Sequence, residues 1–186
     1  MNIVNVGYSS TNYYSIDINS GKLLVDCGWP GTLPHFKKVL HQKGIALSEF
    51  EFLLVTHFHP DHAGLVQELK NNGIQFILPD CQVNFVEPFA DYFKGKSLPY
   101  ARIKPDNLTV RVEESRRFLA GIGLSGEILH TPGHSDDSIT LIVDEGYAFT
   151  GDLHPAFVHS DDSKTQESWD KIHQHKITRI FPGHGG

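Results

Sequence analysis

The order of apolar runs predicts an α/β (α+β) protein in which two β-sheets pack face to face with helices on their outer surfaces. Three observations carry this. Short β-branched and aromatic runs cluster in both halves of the chain. Segments with apolar residues at helical spacing separate them. Several short runs end on the same kind of polar loop, so strand ends from the two halves are expected to meet along one edge, where loops assemble a site.

Taken in order, runs at 3–6, 13–17 and 22–26 read as a β-meander, with Asn19-Ser20-Gly21 turning the second into the third. Gly28, Pro30 and Gly31 break the pattern. A helix follows, with Thr32 as N-cap, Pro34 in its first turn, Phe36, Val39 and Leu40 at helical spacing, and Gly44 as its stop. The apolar run at 52–55 reads as a buried strand leading into a His-rich segment. After it come a helix at 63–71, ended by Asn72-Gly73, and a strand at 74–78. Residues 80–94 have helix-like spacing that Pro88 is expected to split. Residues 94–106 are loop-like, and the segment 80–106 as a whole is expected to wall a pocket. Phe93 and Tyr100 are expected to cover the core, as aromatics do by default.

In the second half, extended runs are expected at 108–112, 117–119, 126–130, 139–143 and 147–150, with Asp144-Glu145-Gly146 turning between the last two. A helix at 165–175 capped by Thr165 precedes a final strand at 178–181. No linker, repeat or low-complexity run interrupts the chain, so residues 1–186 are expected to form one domain.

The chain has 186 residues, 39% hydrophobic and 20% charged, the balance of a soluble globular protein. A formal net charge of −6 weighs against a nucleic-acid partner bound through its phosphates. Cys27 and Cys81 form no disulfide framework and fit a reducing compartment. No leader-like basic-then-apolar start is visible, and no apolar run approaches the roughly 18 residues of a membrane span. The expected location is cytoplasmic, away from membranes.

The 12 histidines are the outlier in this composition. Thr56-His57-Phe58-His59-Pro60-Asp61-His62 places three of them and an aspartate at the end of a strand, a metal-ligand cluster by type and spacing. Two imidazoles at i and i+2 can converge on one ion, and the following Asp and His can turn towards a second. Three further stretches follow a strand with a glycine and then a ligand: Thr131-Pro132-Gly133-His134-Ser135, Thr150-Gly151-Asp152 and Pro182-Gly183-His184-Gly185.

Together, THFHPDH, TPGHS, TGD and PGHG resemble the metal-binding signature of the metallo-β-lactamase-fold hydrolases, most closely their glyoxalase II-like branch. The motifs follow the family's order from 56 to 185. The resemblance implies a four-layer αββα sandwich with the metal site at one edge of the two sheets. It implies that His57, His59 and His134 hold a first ion, that Asp61, His62 and His184 hold a second, and that Asp152 bridges them. Asp26 matches a position that usually supports such a site from outside the ligand set.

Two Zn²⁺ ions are the expected cofactor, with iron or manganese as alternatives. Such a pair can share a bridging water and lower its pKa towards neutrality, with Asp61 orienting the resulting hydroxide and later passing a proton to the leaving group. The expected reaction is hydrolysis of an ester, thioester, lactone or related bond in a small metabolite. Two other chemistries suit the same residues: a mononuclear iron dioxygenase acting on a thiol or persulfide, and a metal-dependent phosphodiesterase or ribonuclease. The absence of a basic run weighs against the last. A chain that stops two residues after His184 is not expected to carry the C-terminal helical domain of a typical glyoxalase II, nor a flavodoxin-like appendage. A non-catalytic metal-binding module is disfavoured because all seven ligand positions are filled.

Of the remaining histidines, His35, His41, His173 and His175 fall on expected helices and should be exposed. His130 is expected to support the site or the core. His154 and His159 are candidates for substrate contact. Asp136 and Asp137, just after His134, depart from the small residues often found there. They are expected to cap a turn or to make the site rim acidic.

Overall fold

The structure, a computed structural model, describes residues 1–155 and 163–185. Its first sheet has six strands in sequential order: β1 (Ile3–Asn5), β2 (Tyr14–Ile18), β3 (Gly21–Val25), β4 (Phe50–Leu54), β5 (Gln75–Pro79) and β6 (Leu108–Val110). The expected meander β1-β2-β3 is antiparallel, and the turn between β2 and β3 is tight, with Ile18 opposite Gly21. From β3 to β6 the pairing is parallel. The second sheet contains β7 (Gly126–His130), β8 (Ile139–Val143), β9 (Tyr147–Gly151) and β10 (Arg179–Pro182), in the order β10-β9-β8-β7. Its first three strands are antiparallel, whereas β10 runs parallel to β9. A parallel return needs a crossover, and helix α6 (Ser163–His173) lies between those two strands in the chain.

Period-two alternation assigns the layers. In β3 and β4, Leu23, Val25, Phe52 and Leu54 join Leu141, Val143 and Phe149 in a core between the sheets. Their neighbours Leu24 and Leu53 face the other way, onto Phe36 and Leu40 of α1 (Leu33–Gln42) and Leu69. On the far side of the second sheet, Ile142 and Ala148 pack on Trp169 and Ile172 of α6. The layers are therefore helices, sheet, sheet and helix, the αββα sandwich expected from the sequence. Among the described residues, no helix is long and apolar enough to cross a membrane.

Several expected elements differ. The helix expected at 63–71 is two short pieces, α2 (Pro60–Ala63) and α3 (Val66–Lys70). It starts early because Pro60 has the fixed φ of a first helical position and extended His59 serves as N-cap. The segment 80–94 is in two pieces, as expected, and the break falls just ahead of Pro88. A 3₁₀ segment covers Asp80–Phe85, and Pro88 falls in the first turn of α4 (Val86–Tyr92), where its missing N–H removes no helical bond. Residues 117–119, expected to be extended, lie inside helix α5 (Ser115–Gly121). Ser115 and Leu119 are its buried i, i+4 face, and the Ser115 hydroxyl accepts from Ile128 N in β7.

Neither expected cap forms as such. Thr32 holds the N-cap position of α1, but its hydroxyl donates to Trp29 O. Thr165 lies inside α6 and is buried. His175 falls beyond α6 and is half-buried near Glu127, whereas His35, His41 and His173 are exposed as expected. Phe93 stacks on Tyr100 with centroids 4.1 Å apart and covers the core.

Candidate metal centre

Four loops leave the sheets at one edge and bring the expected ligands together. His57 and His59 follow β4, and Asp61 and His62 ride on α2. His134 lies between β7 and β8, Asp152 directly follows β9, and His184 follows β10. The ligand atoms form two groups, His57, His59, His134 and Asp152 in one and Asp61, His62 and His184 in the other. Asp152 lies between them. Its Oδ2 is 3.9 Å from His57 Nε2, 3.6 Å from His134 Nε2 and 3.3 Å from His184 Nε2, and its Oδ1 is 3.3 Å from His62 Nε2.

Glycines allow this closeness. A Cβ on Gly183 would stand 2.4 Å from Asp152 Oδ1 and 2.7 Å from His62 Cε1. Gly151 has φ +54°, and a Cβ there would meet Thr56 Oγ1 at 2.4 Å.

Hydrogen bonds fix which way three of the imidazoles point. Asp26, buried and in the left-handed region at φ 63°, accepts from Thr56 N at 2.7 Å and from Thr56 Oγ1 at 2.9 Å. Having given its only proton to a carboxylate, the Thr56 hydroxyl accepts from His57 Nδ1 at 3.1 Å. His62 donates Nδ1–H to Asp26 Oδ2 at 2.8 Å, and His184 donates Nδ1–H to Ser10 O at 2.8 Å. Each ring thus keeps a proton on Nδ1 and points Nε2 inward, the usual orientation of a metal-ligating histidine. His57 Nε2 and Asp152 Oδ1 are buried with no hydrogen-bond partner. A buried imidazole nitrogen and a buried carboxylate oxygen left unpaired in one cluster are what a cation would satisfy, so the donor set fits a metal.

Electrostatics follow the same division. Burial, then the neighbouring imidazoles, hold the His57 pKa well below its ordinary value. Burial also lowers His134, despite Asp152 beside it. For His62 burial acts in the same direction but is outweighed by Asp26 and Asp152, which push the pKa up to about 10. The Asp152 carboxyl is raised by burial and lowered more by the surrounding histidines, so it stays ionised.

The sequence did not single out Ser10 and Thr11. Thr11 Oγ1 donates to Asp61 Oδ2 at 3.0 Å, and Ser10 carries the carbonyl that orients His184. Both belong to a turn in which Ser9 and Ser10 have φ of 53° and 69°. The only signal was a polar Ser-Ser-Thr-Asn run, which reads as an ordinary turn. Asp26 takes the supporting position expected of it.

His154 lies beside the cluster, its ring 5.4 Å from that of His134, and it lines a pocket of about 270 Å³ with Asp152 and His184. His159 lies outside the described residues. His130 points away, its Nε2 hydrogen-bonded to Asp136 O. Asp137 is buried, and its Oδ2 accepts from Phe58 N at 2.6 Å, between His57 and His59. Asp136 stays at the rim, paired with Lys164.

Residues 6–184 match the sequence profile of the metallo-β-lactamase superfamily. The chain belongs to this superfamily. It is 29% identical over 184 residues to a beta-lactamase-like protein 2 homolog of Drosophila melanogaster, an alignment covering 94% of this chain and 58% of that one. It is 30% identical over 151 residues to the atrochrysone carboxyl ACP thioesterase of Claviceps purpurea, covering 78% and 40%. Among solved structures it is similar to the subclass B3 metallo-beta-lactamase BJP-1 of Bradyrhizobium japonicum, with TM-score 0.74 at 22% identity, over 98% of this chain and 75% of that one. This superfamily member thus has the fold of the enzymes it resembles, and it spans little more than half the length of the fly relative.

Proposed function

We propose that the chain is a dinuclear zinc hydrolase of the glyoxalase II-like kind, cleaving an ester, thioester or lactone bond of a small metabolite. The observation that carries this reading is the convergence of four imidazole Nε2 atoms on the Asp152 carboxylate, at 3.3 to 3.9 Å. In this reading His57, His59 and His134 hold one ion, Asp61, His62 and His184 hold the other, and Asp152 bridges them. The thioesterase among the relatives supports the thioester bond in particular.

Bound there, the metal pair would supply a water acidified towards neutrality and positive charge for the carbonyl oxygen. Asp61 is the catalytic carboxylate. Its Oδ2 accepts from Thr11 Oγ1 and stands 3.2 Å from His184 Nε2, so the carboxylate is held at the cluster, where it would orient the attacking water. The water oxygen bonds to the acyl carbon, the C–S or C–O bond breaks, and Asp61 passes the water's proton to the departing sulfur or oxygen.

Elemental analysis of protein expressed without added metal, followed by a screen of esters, thioesters and lactones, tests the reading. About two zinc ions per chain with hydrolysis would support it. About one iron, with oxygen consumed in the presence of thiol substrates, would overturn it in favour of a dioxygenase.

A further inference from the structure

A second groove, of about 330 Å³, adjoins the cluster on the side of His59. Buried Phe58 and Phe89 line it, their rings 5.3 Å apart, together with Phe85, Pro88 and Tyr92 from residues 80–106. His59 belongs to both places, since its ring lines the groove while its Nδ1 lies 3.0 Å from His134 Nε2. Tyr92 is 46% exposed, an aromatic surface left in water where a ligand could cover it.

We infer that this groove receives the acyl part of the substrate, and that this part is apolar and uncharged. The inference rests on the hydrolase reading and specifies its substrate class. Among the described residues, neither this groove nor the pocket beside His184 is lined by lysine or arginine, and residues 156–162 contain neither. The charges on the lining are negative. Asp137 spends its carboxylate on Phe58 N, and Asp136 is paired with Lys164. Lys96 lies over the Tyr92 ring, a cation–π contact that engages it. A carboxylate or phosphate at the far end of the acyl group would have to draw Lys164 from Asp136 or Lys96 from the Tyr92 ring. An aryl or alkyl group instead displaces water from Phe85, Pro88 and Tyr92, the apolar lining that stays accessible. The pocket lined by Leu153, His154, Pro182 and His184 is then left for the departing thiol or alcohol.

Two readouts on the full chain test this. The first is kcat/KM of the metal-loaded protein on the S-acetyl, S-phenylacetyl and S-succinyl thioesters of N-acetylcysteamine and on the matching p-nitrophenyl esters. Phenylacetyl should exceed acetyl by about tenfold or more, with succinyl below both. Tyr92→Ala, at an exposed position, and Phe85→Ala should each shrink that preference. The second readout is an amide NMR titration with N-benzylacetamide, a neutral probe that needs no turnover. Shifts are expected at Phe58, Phe85, Tyr92 and Ser135. Binding there without hydrolysis of any compound would keep the groove and overturn the hydrolase reading. Hydrolysis without acyl preference, with probe shifts elsewhere or none, would overturn the groove and keep the hydrolase. Succinyl compounds cleaved as well as phenylacetyl ones would overturn the charge argument.

Discussion

His62 Nδ1 lies 2.8 Å from Asp26 Oδ2, and through this contact the first sheet holds the metal-facing ring in one tautomer. Asp26 also takes the N–H and hydroxyl of Thr56, whose oxygen in turn orients His57. One carboxylate, in a left-handed conformation that a non-glycine residue adopts only when its surroundings compel it, thus positions one histidine from each group.

Asp26→Ala should therefore weaken metal binding and stability together. Metal affinity should fall about 10- to 100-fold, as for other partners of ligating histidines. The Thr56 N–H left unpaired in the core should cost about 1–3 kcal/mol. Chelator competition and urea denaturation measure the two effects. Unchanged metal affinity would refute the positioning role.

His59→Ala or His134→Ala should abolish hydrolysis and remove at least one ion per chain. Asp61→Asn is different, because Asp61 is half-buried and the amide can still accept from Thr11. Turnover should collapse while stability stays within about 0.5 kcal/mol. Steady-state kinetics beside thermal melting separates these, and unchanged turnover would exclude a catalytic Asp61.

Gly183→Ala adds one methyl where Asp152 Oδ1 stands 2.4 Å away. The carboxylate or the loop must move, so metal content and turnover should both drop. A fully loaded, fully active variant would show that the loop adjusts freely.

Metal uptake should depend on pH differently in the two groups. In the metal-free chain at pH 7, His57 is neutral because its pKa is held down, whereas His62, pushed up to about 10, carries a proton. A ligand must be deprotonated, so filling the His62 group releases a proton. Its affinity should rise about tenfold per pH unit between 7 and 9. Calorimetry in buffers of different ionisation enthalpy counts the proton. A second ion taken up without proton release would contradict the assignment.

The sequence alone determined the strands at whose ends the clustered histidines and aspartates stand, and which histidines and aspartates those are. His57-x-His59-x-Asp61-His62 follows an apolar run too regular to be a loop, and the Pro-Gly-His and Gly-Asp loops repeat that local grammar, which the backbone sets within a few residues. The turns at Asn19-Ser20 and Gly146 were legible for the same reason.

Tertiary structure decided what depends on residues far apart in the chain. The short apolar pair Phe118-Leu119 fits a strand or a helix equally, and only packing against β7 selects α5. Thr11 reaches Asp61, and Ser10 reaches His184, because β1 and β2 fold their turn over the loop after β10. Asn12 Nδ2 and Tyr14 OH both donate to Pro182 O there. The aromatic groove beside His59 has the same origin. Local periodicity marks Phe89 as apolar, but only the way the helices cover the first sheet decides that it faces the site.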